Sequence, residues 1–167
     1  MSFFVGIAFD EATRAQVQRA LTLAQPLAPG LKWVRPEKAH LTLVFCAEVK
    51  PDEGRIIEVA ARHAPLALSL KGGGTFSRHV LWLGVSGDLE PLAALQRSLT
   101  EALGVRSDHP AYAPHVTLAR NKRNGALPSQ ALAQLEGPPF RVERVTLFES
   151  RNGDYLQLMH ASLLGTV

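Results

Sequence analysis

A single cysteine, Cys46, stands among 167 residues, so no disulfide can form within the chain. A lone thiol fits a reducing compartment. Long hydrophobic runs are missing too: none approaches the ~20 residues of a membrane span. The apolar start, Phe3 to Phe9, has no basic residue before it and meets Asp10-Glu11 at once, unlike a signal peptide. These absences predict a cytoplasmic protein with no membrane partner. Metal-ligand spacings are equally absent, with no Cys-x-x-Cys, no His-Glu-x-x-His and no carboxylate cluster, so a metallohydrolase has no support. Lys71-Gly72-Gly73-Gly74-Thr75 lacks the order of a phosphate-binding P-loop, and Gly84-Val85-Ser86-Gly87 is not a nucleophile elbow. Charge of one sign is scarce: 18 basic against 15 acidic residues leave +3, with a pI near 9.4. That balance favours a polyanionic partner without establishing one.

What is present is a globular chain, 46% hydrophobic and 20% charged, long enough to bury a sizeable core. Phe3 to Phe9 reads as a buried strand, and Asp10 as the cap of a helix carrying Val17, Ala20, Leu21, Ala24, Leu27 and Ala28 at helical spacing. Strands are expected over Lys32 to Arg35 and His40 to Val49, around a Pro36-Glu37-Lys38 turn, with a second helix opened by Pro51 and closed by Pro65. Leu66 to Leu70 and Val80 to Val85 read as strands around a glycine loop, and Asp88 as the cap of a third helix bearing Leu92, Leu95, Leu99 and Leu103. The second half then repeats the order of the first: a strand over His115 to Arg120, a short helix over Pro128 to Leu135, and long strands over Phe140 to Glu149 and Tyr155 to Leu164 around Asn152-Gly153-Asp154. Strands in runs with intervening helices predict an α+β fold with largely antiparallel sheets, and no stretch resembles an interdomain linker.

Two tetrapeptides carry chemistry: His40-Leu41-Thr42-Leu43 and His115-Val116-Thr117-Leu118, 75 residues apart. Strand alternation puts each histidine and its threonine on one face and the apolar residues on the other. Related by a pseudo-two-fold, the two strands would flank a groove with two imidazoles and two hydroxyls, a set that suits a phosphate. Displacement at phosphorus needs one proton taken from the attacking oxygen and another given to the leaving oxygen. Histidine titrates near neutrality and can do either, while threonine hydroxyls can donate to non-bridging oxygens and stabilise developing charge.

With these motifs in place, the sequence resembles the RNA 2′,3′-cyclic phosphodiesterases, also called 2′-5′ RNA ligases, of the two-histidine phosphoesterase superfamily. The resemblance runs nearly end to end. Trp33-Val34-Arg35-Pro36-Glu37 leading to His40-Leu41-Thr42-Leu43-Val44-Phe45 is similar to the family's first motif, and Pro114-His115-Val116-Thr117-Leu118-Ala119-Arg120 to its second. Gly74-Thr75-Phe76 with Val80 to Val85 resembles its middle hairpin, and Leu147-Phe148-Glu149-Ser150 with Tyr155 its closing strands. Val44 and Cys46-Ala47 depart from the usual residues. The resemblance implies one bilobal domain over 1–167, with two largely antiparallel sheets around a central groove and helices outside. It also implies no metal or other cofactor, and hydrolysis of a 2′,3′-cyclic phosphate on RNA or a nucleotide to a 2′-phosphate, with 2′-5′ joining as the reverse. By similarity His115 is the base that activates water, His40 the acid for the 3′ oxygen, Thr42 and Thr117 the phosphate clamps and Arg120 a substrate contact. Parity sets Arg120 against this, since it lies an odd number of residues from His115 and faces away unless the strand bulges.

Other residues carry weaker readings. Phe76, after the glycines, is either a base-stacking platform or a core phenylalanine. Lys122 and Arg123, within Asn121-Lys122-Arg123-Asn124-Gly125, would give a basic rim or a solvated pair. His63, His79, His109 and His160 have no motif partner and read as surface or satisfied histidines. Cys46 shares the strand face of His40 by parity but lies ~20 Å along the strand, too far for an activated nucleophile. The partners expected are RNA with 2′,3′-cyclic phosphate ends or cyclic nucleotides, bound by a monomer. Two other readings stay open: a nucleotide- or RNA-binding module without turnover, and a phosphodiesterase for a small cyclic-phosphate metabolite or a 2′-5′ oligonucleotide.

Overall fold

The computed structural model describes residues 1–106, 111–123 and 125–166. Nine strands in this part of the chain form two sheets, every neighbouring pair antiparallel. The strands are β1 (Ser2–Ala8), β2 (Lys32–Trp33), β3 (His40–Ala47), β4 (Leu66–Phe76), β5 (Val80–Gly87), β6 (His115–Arg120), β7 (Phe140–Val142), β8 (Arg144–Arg151) and β9 (Asp154–Ser162). The four-stranded sheet runs β3-β1-β8-β9 and the five-stranded sheet β2-β6-β5-β4-β7. The expected α+β class with two antiparallel sheets is what the chain adopts. No helix among the described residues is long and apolar enough to cross a membrane.

Helix α1 (Glu11–Ala24) starts where the Asp10 carboxylate accepts from the Thr13 N–H at 2.8 Å, and buries Val17, Ala20, Leu21 and Ala24 along one stripe. Helix α2 (Glu53–Ala61) is capped by Asp52, one residue past the proline expected to open it, and buries Ile56, Val59 and Ala60. Helix α3 (Leu89–Leu103) buries Leu92, Leu95 and Leu99 and ends on Gly104 at φ 66°, a conformation glycine adopts without strain. Asp88 does precede α3, but its carboxylate accepts from the Ala67 N–H instead of capping the helix. Helices α2 and α3 pack on each other, and the Arg55 guanidinium donates to the Ala102 carbonyl at 3.1 Å. Phe3, Val5 and Ile7 of β1, Leu41 and Leu43 of β3, Leu81 and Leu83 of β5 and Val116 and Leu118 of β6 all enter one continuous apolar core with these helices. Each such side chain contributes about 1.5–3 kcal/mol by leaving water.

Several expectations need correction. Phe140 to Glu149 is two strands: the chain leaves the five-stranded sheet after Val142, passes Glu143, and enters the four-stranded sheet at Arg144. The alternation changes phase there, from Phe140 and Val142 to Val145 and Leu147, with Glu143 and Arg144 both exposed between them. The 128–135 segment makes only a 3-10 turn over Ser129–Leu132. The strand expected over Lys32 to Arg35 keeps only its first two residues. The glycine loop is strand: β4 runs through Gly72, Gly73 and Gly74 with a bulge between Leu70 and Gly73. A Cβ on Gly74 would stand 2.4 Å from the Trp82 ring, and one on Gly73 would stand 2.6 Å from Leu132, so glycine permits close approach here. Asn152 and Gly153, at φ 52° and 82°, make the two-residue hairpin between β8 and β9.

The repeat expected from the sequence takes concrete form. In the first unit, β1 leads through α1 to β3 and pairs with it; in the second, β5 leads through α3 to β6 and pairs with it. The registers match. Ala8 faces His40 and Gly6 faces Thr42, as Gly84 faces His115 and Trp82 faces Thr117. Each ladder then skips one residue: Val5 pairs with Val44, leaving Leu43 unpaired, and Leu81 pairs with Ala119, leaving Leu118 unpaired. Both central strands therefore carry a bulge immediately after the threonine.

Trp82 and Gly74 give the fold its tightest test. Gly74→Ala is expected to cost about 1–3 kcal/mol in urea denaturation, as overpacking. Gly30→Ala, whose Cβ meets nothing within 4 Å, should stay within about 0.5 kcal/mol. Equal effects would show that the Trp82 contact does not constrain β4.

Candidate active site

His40 and His115 open their strands, each preceded by a proline-containing segment that turns the backbone into the sheet. Their rings are held alike. His40 Nδ1 bonds the Lys38 carbonyl at 2.9 Å and His115 Nδ1 bonds the Ala113 carbonyl at 2.8 Å, each two residues back. A carbonyl only accepts, so Nδ1 carries the proton in both rings. Nε2 is thereby left as the working nitrogen, a lone pair when the ring is neutral and a donor when it is charged.

The surroundings of the two rings differ. His40 stacks on Phe4 at 4.7 Å between centroids and meets Tyr155 edge-on at 5.1 Å, with Phe148 behind at 5.8 Å. Phe4 and Phe148 are buried and stack on each other at 4.8 Å, yet both lie outside the main core, on the opposite face of the sheet. Burial in this aromatic nest lowers the His40 pKa, and the positive charges of His115 and Arg120 lower it further against the Lys38 carbonyl bond that raises it. Around His115 the neighbours are Phe76, edge-on at 4.8 Å, and Trp82 at 6.4 Å. Phe76 is half-buried against an imidazole, so it belongs neither to the deep core nor to an open platform.

Thr42 and Thr117 are both half-buried, on the histidines' side of their strands. The parity objection to Arg120 falls. The bulge at Leu118 lets Leu118 and Ala119 both enter the core, so Arg120 returns to the side of His115 and Thr117, exposed and close enough to be felt at His40. The same bulge in β3 reverses the reading of Cys46. It is buried in the core, away from the face of His40, and burial pushes its thiol pKa up. Lys122 and Arg123 are exposed just beyond β6; Asn124 and His109 lie outside the described residues. His63 meets the Ser98 hydroxyl at 3.1 Å, His160 the Thr146 hydroxyl at 2.9 Å and His79 the Asn121 carbonyl at 3.1 Å, as satisfied side chains do. Among the described residues no group of three His, Cys, Asp or Glu side chains converges.

Tyr112 was not foreseen. Its hydroxyl donates to the Thr42 carbonyl at 2.8 Å, and burial raises its pKa far above the ordinary phenol value, so it stays a neutral donor. The bond ties the segment that leads into His115 to the strand that carries His40 and Thr42. Nothing in the sequence marks this tyrosine. A cavity of about 370 Å³ opens beside His40, lined by Arg14, Lys38, Phe148, Tyr155 and Gln157 among others.

Comparison with known proteins shows which family the chain resembles. The model of the 2′-5′ RNA ligase superfamily matches residues 9–154. A protein of Methanothermobacter thermautotrophicus named RNA 2′,3′-cyclic phosphodiesterase is 33% identical over 84% of this chain and 80% of its own length. One of the same name from Geobacillus stearothermophilus is 30% identical over 89% of this chain, which spans only about half (52%) of that relative. A crystal structure of a Thermus thermophilus protein superposes with a TM-score of 0.75 at 27% identity, covering 99% of each chain.

The Tyr112 bond gives a direct check. Tyr112→Phe leaves the Thr42 carbonyl without its donor and should lower stability by about 0.5–1.5 kcal/mol. It should also lower kcat/KM on a phosphodiester by about tenfold, because the two halves of the groove lose register. A loss of stability with unchanged kcat/KM would reduce the bond to a structural role.

Proposed function

The chain belongs to the 2′-5′ RNA ligase superfamily, and from that premise we propose that it hydrolyses RNA or nucleotide 2′,3′-cyclic phosphates to 2′-phosphates by metal-independent acid–base catalysis. The observation that carries the reading is the matched tethering of two imidazoles by carbonyls two residues back, each leaving Nε2 for substrate. His115 Nε2 takes a proton from water as its oxygen bonds to phosphorus. The bond from phosphorus to the 3′ oxygen breaks, and His40 Nε2–H gives that oxygen its proton. Thr42 and Thr117 hydroxyls donate to the non-bridging oxygens, with the Arg120 guanidinium adding charge. Each proton transfer in this step is assigned to a side chain of the chain itself. A 5′ hydroxyl in place of water gives 2′-5′ joining. The reading extends to a cytoplasmic monomer that works as one domain on RNA ends.

The depressed pKa of His40 makes a signed prediction. The acid must be protonated, so kcat/KM, which reports the free enzyme, should fall with rising pH through a limb below the ordinary histidine value of 6.5. A bound phosphate anion beside His40 favours its charged form, so the corresponding limb of kcat should lie at higher pH. Limbs that coincide, or a free-enzyme limb above 6.5, would remove His40 from the acid's role.

The principal test is release of a 2′-phosphate from a cyclic-phosphate RNA end in excess EDTA. His40→Ala and His115→Ala should each cost about 10²- to 10⁴-fold. A nitrophenyl phosphodiester, whose leaving group needs no proton, should rescue His40→Ala and not His115→Ala. Loss of activity in EDTA or a 3′-phosphate product would refute the mechanism, and nucleotide binding without turnover would leave a binding module.

A further inference from the structure

The matched bulges have an outcome beyond Arg120. In the repeat, the residue of the first unit that corresponds to Arg120 is Phe45: Arg120 pairs with Val80 of β5, and Phe45 pairs with Phe4 of β1 at the same point of the ladder. Strict alternation would have sent Phe45 into the core with Leu41 and Leu43. The unpaired Leu43 instead lets Leu43 and Val44 both enter the core, and Phe45 emerges on the side of His40 and Thr42, 57% exposed. At this exposure the ring is only partly covered by the fold, and it stands on the face that carries His40 and Thr42, where a ligand in the groove can reach it.

The two units differ chemically at this place. Around Arg120 the surface is cationic, with Lys32 as its partner on β2 and Lys122 and Arg123 following. Around Phe45 the neighbours are Phe4, Val44, Cys46 and Ala47, with no cation among them. A polynucleotide offers an anionic backbone and flat, weakly solvated bases, and these call for the two kinds of surface separately: guanidinium for phosphate, an aromatic face for a base.

Resting on the reading above, we propose that Phe45 is a base-stacking residue on the groove rim, which selects nucleotide cyclic phosphates over cyclic phosphates without a base. Stacking on a phenyl ring tolerates any base, so the selection is for nucleic acid as a class and not for sequence.

Glycerol 1,2-cyclic phosphate, which has the same five-membered ring and no base, is the comparison substrate. Phe45→Ala should lower the ratio of kcat/KM for a cyclic-phosphate RNA end over that for glycerol 1,2-cyclic phosphate by about 5- to 100-fold, through the KM of the RNA. Phe45→Trp should keep or raise the ratio. An unchanged ratio in Phe45→Ala, whether both substrates suffer equally or neither does, would overturn the assignment. A second measurement needs no turnover: adenosine 2′-monophosphate should quench the indole emission of the Phe45→Trp variant beyond any change it causes in the unaltered protein, whereas inorganic phosphate and ribose 2-phosphate should change both proteins alike. Absence of that difference would also overturn it. Unaltered protein that turns over neither substrate, with the quench still present, would count against the hydrolytic reading alone and leave the stacking role in place.

Discussion

The constraint on which the groove depends is one extra residue in each central strand. A regular strand of six residues shows three side chains to each face at even spacing. With Leu43 and Leu118 left out of their ladders, two consecutive residues turn into the core and the next returns to the substrate face. Histidine and threonine need only alternation. The slip decides what fills the third position: Arg120 in place of Ala119 in one unit, Phe45 in place of Val44 in the other. Two consecutive apolar residues entering the core hold the slip in place, since restoring regular alternation would expose one of them.

Electrostatics and packing meet at His40. Its ring is part of an aromatic stack with Phe4 and Tyr155, which fixes the plane of the imidazole but withholds water from it. Positive charge from His115 and Arg120 acts in the same direction. Burial and these charges both lower its pKa and so favour the neutral ring, whereas an anion beside it would favour the charged one. His115, flanked by Phe76 and Trp82, sits in a more open setting, so the duplicated unit supplies two chemically similar groups with unequal surroundings.

The two His-x-Thr segments, the apolar alternation around them and the helix stripes at Val17, Ile56 and Leu92 were legible in the sequence because each depends on a local period. The bulges were not, since Leu43-Val44 and Leu118-Ala119 are ordinary apolar pairs whose ladder partners lie tens of residues away. Arg120, Phe45 and Cys46 all hang on that slip, and parity misplaces each of them. The glycines before Thr75 have the composition of a loop and the geometry of a strand: the Trp82 ring occupies the space a side chain on Gly74 would take, and Leu132 the space beside Gly73. Tyr112 acts through a hydroxyl on a backbone carbonyl 70 residues earlier in the chain, a contact no local pattern encodes.

The placement of the two tryptophans gives the groove an intrinsic optical signal. Trp33 donates its indole N–H to the Ala28 carbonyl at 2.9 Å on the β2 edge, while Trp82 lies against Phe76 and 6.4 Å from the His115 ring. Indole emission responds to a nearby positive charge. Of the two chromophores, the one beside Thr117 is therefore the one that a change in the groove reaches, and the unmodified chain carries its own optical probe there.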